Sequence, residues 1–121
     1  MIKHNRIILE KIIDEAEVVS QLINGFAEFD FIASEATKRA VCMTLINIGE
    51  LVKNLKDDLR QNYSNIPWKQ IAGFRDVASH GYFTLRLPEV WVYASQEVPL
   101  LKVQIEEILE NEGKTDKADN P

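Results

Sequence analysis

Four polar residues with possible chemical roles lie close together in the second half of the chain: Arg75, Asp76, His80 and Tyr82. A guanidinium is always charged and grips phosphate oxygens in pairs, and an imidazole gives or takes a proton near neutral pH. A tyrosine adds a hydroxyl group and a ring on which a base can stack. Cleavage of RNA without a metal needs such groups, because a base must remove the proton of the ribose 2′-hydroxyl while a cation stabilises the charge that builds up at phosphorus. The cluster is therefore a candidate site for metal-free phosphodiester cleavage.

The spacing of Arg75 and His80 leaves two interpretations open. In an unbroken helix, five positions rotate one side chain about 140° from the other. The two would converge best if His80 lies where a helix ends and the chain turns at Gly81. An Arg and a His near a helix C-terminus also commonly bind the last free carbonyls. Taken alone, the spacing favours this helix-capping interpretation.

Hydrophobic residues recur at intervals of three and four along most of the chain, which predicts an all-α protein. The predicted helices run from about Ile2 to Asn24, from Ser34 through Leu55, from Pro67 to about Ser79, over a segment opened by Pro88, and from Leu100 to Leu109. A turn with a short helical piece is expected over residues 54–64. Because the connections are short, four or five such helices indicate an antiparallel bundle.

Local signals define several helix boundaries. Ser34 is expected to cap the second helix with its hydroxyl, and Gly81 to follow the third helix as a C-terminal cap. Pro99 is expected to kink or break the chain, because proline lacks an amide and crowds the carbonyl four residues earlier. Three phenylalanines in the first connection are expected to plug one end of the bundle: Phe26, Phe29 and Phe31.

The 121 residues fit one domain, which we place at residues 1–112, followed by a polar and frayed tail at residues 113–121. Of the net charge of −5, residues 106–121 carry −4 and the other 105 residues carry −1. A nearly neutral body argues against a broad nucleic-acid surface, which usually needs a basic face. It leaves room for a local site with a few cations.

Nothing in the sequence predicts secretion or membrane insertion. Charged residues interrupt the apolar N-terminal segment at helical intervals, unlike a signal peptide, and no run approaches the roughly 18 apolar residues of a membrane span. Cys42 is the only cysteine, so neither an internal disulfide nor a cysteine-based metal cluster is expected. We predict a cytoplasmic protein that uses no metal and no cofactor.

Glu50 is a further candidate, because it is acidic in a helix that is otherwise apolar around it. Its carboxylate could pair with Arg75 or with Lys53, and such pairs are often structural. Tyr63 and Trp68 are expected in the core or an interface, and Cys42 is expected to be a small core residue. A possible basic rim is mixed with acidic residues and is better interpreted as a solvated face: Lys53, Lys56, Arg60 and Lys69 beside Asp57 and Asp58.

The segment from Ile66 to Tyr82 resembles the signature of the HepT-like family within the HEPN superfamily. In that signature an Arg is followed, after four to six residues, by a His and then, one residue later, by a Tyr; here Arg75, four residues, His80 and Tyr82 fit it. Other features similar to the family are Ile66-Pro67-Trp68, Ile71-Ala72-Gly73-Phe74, Ile48-Gly49-Glu50, and Trp91 followed by Pro99 and Leu100. The resemblance covers roughly residues 1–110.

The resemblance implies a HEPN-like bundle that dimerises, with paired motifs facing a common cleft. It further implies a metal-independent endoribonuclease toxin whose partner is a minimal nucleotidyltransferase antitoxin. Carried over, Arg75 and His80 would be catalytic, and Tyr82 would be the residue to which the antitoxin attaches AMP. Asp76 stands where Asn is frequent, and its carboxylate could orient Arg75 or repel RNA. RNA, a second copy and the antitoxin are the expected partners, and neither DNA nor a membrane is.

A dimer would supply the second catalytic histidine that one copy of the chain lacks near Arg75. Transesterification needs a base and an acid, yet the only other histidine, His4, is far away in sequence; two copies of His80 across a two-fold axis could share the roles. Two other functions stay open: a binding module without activity that presents Tyr82 to the transferase, and a plain bundle in which Arg75 and His80 cap a helix.

Overall fold

The computed structural model describes residues 1–81 and 86–119, with side chains for residues 1–80 and 86–113. Every regular element in these ranges is a helix, so the all-α prediction is confirmed. The elements are α1 (Lys3–Leu22), α2 (Glu28–Ala33), α3 (Glu35–Lys53), α4 (Asp57–Asn62), α5 (Trp68–Ala72), α6 (Phe74–Gly81), α7 (Leu87–Val92) and α8 (Val98–Asp119), with a π-helical turn (Tyr93–Glu97) between α7 and α8.

The long helices α1, α3 and α8 form the centre of the bundle, and α1 packs against both of the others. At one end, His4 Nε2 donates a hydrogen bond to the carbonyl of Asn54 at 2.9 Å, so the start of α1 meets the end of α3 and the two run antiparallel. The core consists of apolar side chains that each contribute roughly 1.5–3 kcal/mol when fully buried. Its fully buried members include Leu9, Ile12, Val19, Val41, Leu45, Ile48, Val52 and Ile105.

The connection before α3 confirms one expectation and corrects another. Ser34 caps α3, since its Oγ accepts a hydrogen bond from the amide of Thr37 at 3.3 Å. The short helix α2 buries Phe31 completely, with its ring centroid 5.5 Å from that of Trp91. Phe29 is 80% exposed, so the prediction that it helps to plug the end of the bundle is wrong. On a helix, two positions rotate about 200°, and only one of these two rings can face inward.

The predicted third helix is two helices. α5 ends at Ala72, Gly73 follows it as the C-cap with backbone angles of φ −71° and ψ −9°, and α6 begins at Phe74. The Gly73 carbonyl accepts hydrogen bonds from the amides of Asp76 at 3.0 Å and Val77 at 3.3 Å, so the new helix begins immediately. Gly81 is the last residue of α6 and not a cap beyond Ser79, which corrects that boundary.

The irregularity predicted at Pro99 takes the form of the π-helical turn at Tyr93–Glu97. A π turn is one residue wider than an α turn and thereby accommodates a proline that would clash in a regular helix. The backbone of residues 114–119 continues α8. No helix in the described ranges is both long and apolar enough to span a bilayer.

Candidate active site

α6 carries the polar residues of the site on its outer side. Its inner side is apolar, because Phe74, Val77 and Ala78 are all buried against the body of the protein, where α6 packs mainly on α3. The Phe74 ring also stacks on that of Tyr93, with centroids 4.6 Å apart. Anchoring the apolar side leaves three predicted site residues exposed to solvent: Arg75, Asp76 and His80.

The guanidinium of Arg75 is paired with the carboxylate of Glu50 on α3. Nη1 of Arg75 lies 2.8 Å from Oε1 of Glu50, and the two side chains are 50% and 46% exposed. Oε1 itself is shielded from solvent, and the contact is a close ion pair without the alignment of a hydrogen bond. Of the two pairings predicted for Glu50, the structure contains the one with Arg75. Because the Arg75 side chain is half exposed, it stays accessible to a phosphate group.

Gly49 allows α3 and α6 to come close together at the backbone of Arg75. A β-carbon at position 49 would lie 3.0 Å from the carbonyl oxygen of Ala72, 3.2 Å from the amide nitrogen of Arg75 and 3.3 Å from the Arg75 Cβ. Any larger residue would therefore push against backbone. The sequence showed Gly49 as part of Ile48-Gly49-Glu50, but not that this glycine sets the position of Arg75.

Arg75 and His80 lie in the first and last turns of one short helix. α6 is continuous between them, so within one subunit the two side chains leave the helix axis about 140° apart. The carboxylate of Asp76 lies in the first turn, where a negative charge is favourable next to the positive end of the helix dipole. Tyr82 lies outside the described residues.

A groove of about 460 Å³ runs between α1 and α3, and Glu50 is one of the residues that line it. Charged and amide side chains line most of it: Lys11, Asp14, Glu15, Asn47, Glu50 and Asn54, together with Leu51. Both signs of charge are present, so the groove is not a broad anion-binding surface. It places α1 beside the Arg75–Glu50 pair.

The remaining sequence candidates have structural roles. The indole of Trp68 is buried and donates to the Tyr63 carbonyl at 3.0 Å, and the Tyr63 hydroxyl donates to Glu112 at 3.0 Å. Burial raises the pKa of the Cys42 thiol. Arg60 pairs with Asp57, which supports the mixed-charge interpretation of that face. In the described part of the chain, no three His, Cys, Asp or Glu side chains cluster as metal ligands do.

Comparison with known sequences gives a family match over most of the chain. The model of the family described as "Ribonuclease HepT-like" matches residues 11–108, a span that contains Glu50, Arg75, His80 and Tyr82. The chain belongs to the HepT-like ribonuclease family. The resemblance seen in the sequence is thereby confirmed, and membership of this family supports RNase activity.

Curated relatives agree with this family. The chain is 38% identical over 104 residues to a protein of Caldanaerobacter subterraneus subsp. tengcongensis named "Putative RNase TTE0752", a match that covers 86% of this chain and 93% of that one. It is 37% identical over 109 residues to "Putative RNase MJ1216" of Methanocaldococcus jannaschii, covering 87% and 90%. It is 30% identical over 100 residues to "Probable ribonuclease HepT" of Thermococcus cleftensis, covering 83% and 91%. No solved structure gives a significant match.

Proposed function

We propose that this HepT-like chain is a metal-independent endoribonuclease, the toxin of a type II toxin–antitoxin system, with Arg75 and His80 as its catalytic residues. The observation that carries the proposal is the placement of α6. Its buried apolar side leaves both residues exposed, and the guanidinium of Arg75 is held by a carboxylate at 2.8 Å while the side chain as a whole is half exposed. Such a cation is positioned, and is still accessible to a phosphate.

The proposed reaction is an internal transesterification. The His80 imidazole takes the proton of the ribose 2′-hydroxyl, the 2′-oxygen attacks phosphorus, and the bond from phosphorus to the 5′-oxygen breaks. A protonated imidazole returns a proton to the leaving oxygen, and Arg75 stabilises the added negative charge on the phosphoryl oxygens. The products are a 2′,3′-cyclic phosphate and a 5′-hydroxyl. Since the 2′-hydroxyl is the nucleophile, DNA is not a substrate.

The proposed enzyme is a homodimer that works in the cytoplasm. Within one subunit Arg75 and His80 leave α6 about 140° apart, so one helix alone does not aim both groups at a single phosphate. Two α6 helices facing a common cleft would place Arg75 of one subunit near His80 of the other. The two imidazoles could then serve as base and acid.

The ion pair with Glu50 means that the guanidinium of Arg75 already has a carboxylate partner before RNA binds. An RNA phosphate must compete with the carboxylate for the guanidinium, and an exposed pair of this kind is worth only about 0–1 kcal/mol. Displacement is therefore inexpensive for a polyanion. Asp76, beside Arg75, adds a second negative charge that RNA must tolerate.

The proposed partner is a minimal nucleotidyltransferase antitoxin that transfers AMP to Tyr82. The phenolic oxygen attacks the α-phosphorus of ATP and pyrophosphate leaves, so that Tyr82 gains one phosphodiester charge and a bulky base. That charge would pair with Arg75, and the base would occupy the cleft two residues from His80. RNA would be excluded by both effects.

Purified protein should cleave RNA in the presence of EDTA and leave cyclic-phosphate ends. His80→Ala and Arg75→Ala should be inactive, and expression of the wild type should arrest growth while His80→Ala does not. Arg86→Ala is the matched control for the second variant, since Arg86 pairs with Glu89 at 2.8 Å with similar exposure but lies outside α6. Full activity in His80→Ala would disprove the mechanism.

A second candidate is a binding module that presents Tyr82 to the transferase without cleaving RNA. The nearly neutral body of the chain and the neutralisation of Arg75 by Glu50 favour it. The wild type would then be harmless when expressed alone, and mass spectrometry would still find AMP on Tyr82 after coexpression with a transferase.

A further inference from the structure

The outward side of α1 carries a stripe of four residues: Ile7, Lys11, Asp14 and Val18, hereafter the α1 stripe. Their spacing of four, three and four places them within about 60° of one another around the helix. Ile7 is 42% exposed and Val18 is 41% exposed, although both are branched aliphatic residues. The core residues Ile12, Ala16 and Val19 lie on the other side of the same helix.

The α1 stripe has the same order of residue types when it is read in either direction: apolar, charged, charged, apolar. If two α1 helices meet antiparallel about a two-fold axis between positions 12 and 13, positions whose numbers add to 25 lie opposite each other. Ile7 then faces Val18 of the partner subunit, and Lys11 faces Asp14 of the partner subunit. An isologous interface requires such self-complementarity.

We propose that the α1 stripe is the surface through which two copies of this chain associate, antiparallel and in this register. The inference takes from the proposed function only that a second copy binds, and does not depend on RNA cleavage. Lys11 and Asp14 also line the groove between α1 and α3, as does Glu50. A partner on the stripe would therefore lie next to Glu50, the residue that pairs with Arg75.

The charges of the α1 stripe select this occupant over others. RNA is disfavoured, because Asp14 and the neighbouring Glu15 would repel a polyanion in the same groove. A second copy satisfies both charges at once, with two equivalent ion pairs, and covers the two exposed aliphatic side chains.

The test is the oligomeric state of charge variants, measured by light scattering after size exclusion and without RNA. Lys11→Glu places like charges opposite each other, and so does Asp14→Lys; each variant should be monomeric at concentrations where the wild type is dimeric. Mixing the two variants should restore a dimer, because every facing pair then has opposite charges. Lys69→Glu and Glu106→Lys, both exposed and outside the α1 stripe, should leave the dimer intact.

Each outcome decides something different. A wild type that stays monomeric overturns the proposed homodimer together with this surface. A wild-type dimer that survives both single substitutions overturns only the surface. Monomeric single variants that stay monomeric on mixing overturn the antiparallel register. Circular dichroism should show wild-type helicity in all variants, because the substituted side chains are solvent-exposed.

Discussion

Gly49→Ala tests whether the close approach of α3 and α6 positions Arg75. In an ordinary helix interior this substitution stabilises a protein, since alanine is favoured over glycine by about 1 kcal/mol. Here the new methyl group would lie 3.0 Å from the Ala72 carbonyl oxygen and 3.2 Å from the Arg75 amide nitrogen. Those atoms belong to backbone and must move by a few tenths of an ångström.

The size of the effect follows from two opposing contributions. Forcing a methyl group into a packed contact costs about 1–3 kcal/mol, and the helix propensity of alanine offsets about 1 kcal/mol of that cost. We expect the free energy of unfolding to fall by roughly 0–2 kcal/mol, so the protein still folds. Catalysis should suffer more, because a misplacement of about 1 Å can cost 100-fold; a smaller shift of Arg75 should slow cleavage on the order of tenfold.

The assay combines urea unfolding with the rate of cleavage of a fluorescent RNA. Gly113→Ala is the matched control, because Gly113 lies in α8 with nothing within 4 Å of an added β-carbon; it should lose neither stability nor activity. A Gly49→Ala protein that is about 1 kcal/mol more stable than the wild type and cleaves at the wild-type rate would refute the reasoning.

Three further predictions concern other contacts. Glu50→Gln frees Arg75 from competition, so binding of a non-cleavable 2′-deoxy analogue should tighten by up to about fivefold in fluorescence anisotropy, the equivalent of about 1 kcal/mol; unchanged or weaker binding would count against competition. A hydrogen bond and ion pair from Lys102 lower the pKa of Glu17. The stability that the pair contributes is therefore present at neutral pH and disappears as the pH falls through that lowered pKa. Glu17→Gln should melt below the wild type at pH 7, and equal melting temperatures at pH 7 would contradict this. Phe31→Ala should reduce the free energy of unfolding by about 3–5 kcal/mol, since the ring is fully buried, and a loss under 1 kcal/mol in urea titration would not fit.

The helices could be predicted from hydrophobic spacing, and their junctions only in part. The start of α3 could be predicted from Ser34, because a capping hydrogen bond involves only residues that are close together in the sequence. The break at Gly73 was missed, since the apolar pattern continues across it from Ile71 to Phe74 and a single glycine is tolerated within helices. Phe29 was predicted to plug the end of the bundle because a sequence shows its hydrophobicity but not the turn of α2, which gives the inner position to Phe31.

The site was predictable where a residue type determines the chemistry. Arg75 was chosen for its charge, and Glu50 for being acidic in an apolar helix, yet only the crossing of α3 and α6 selects the Arg75–Glu50 pair. The contribution of Gly49 depends on distances of 3.0–3.3 Å between two helices. Sequence spacing contains no information of that precision.

The π-helical turn before α8 holds one residue more than the helix around it needs. Its Ser95 hydroxyl donates to the Trp91 carbonyl at 2.7 Å, and its Tyr93 ring supports Phe74 next to the proposed catalytic arginine. Shortening this turn by one residue would leave the flanking helical faces in phase, but would return Pro99 to a collision with the preceding turn. A single deletion far from Arg75 along the chain would thus loosen the aromatic support of α6 and reduce activity while the remainder of the bundle stays assembled.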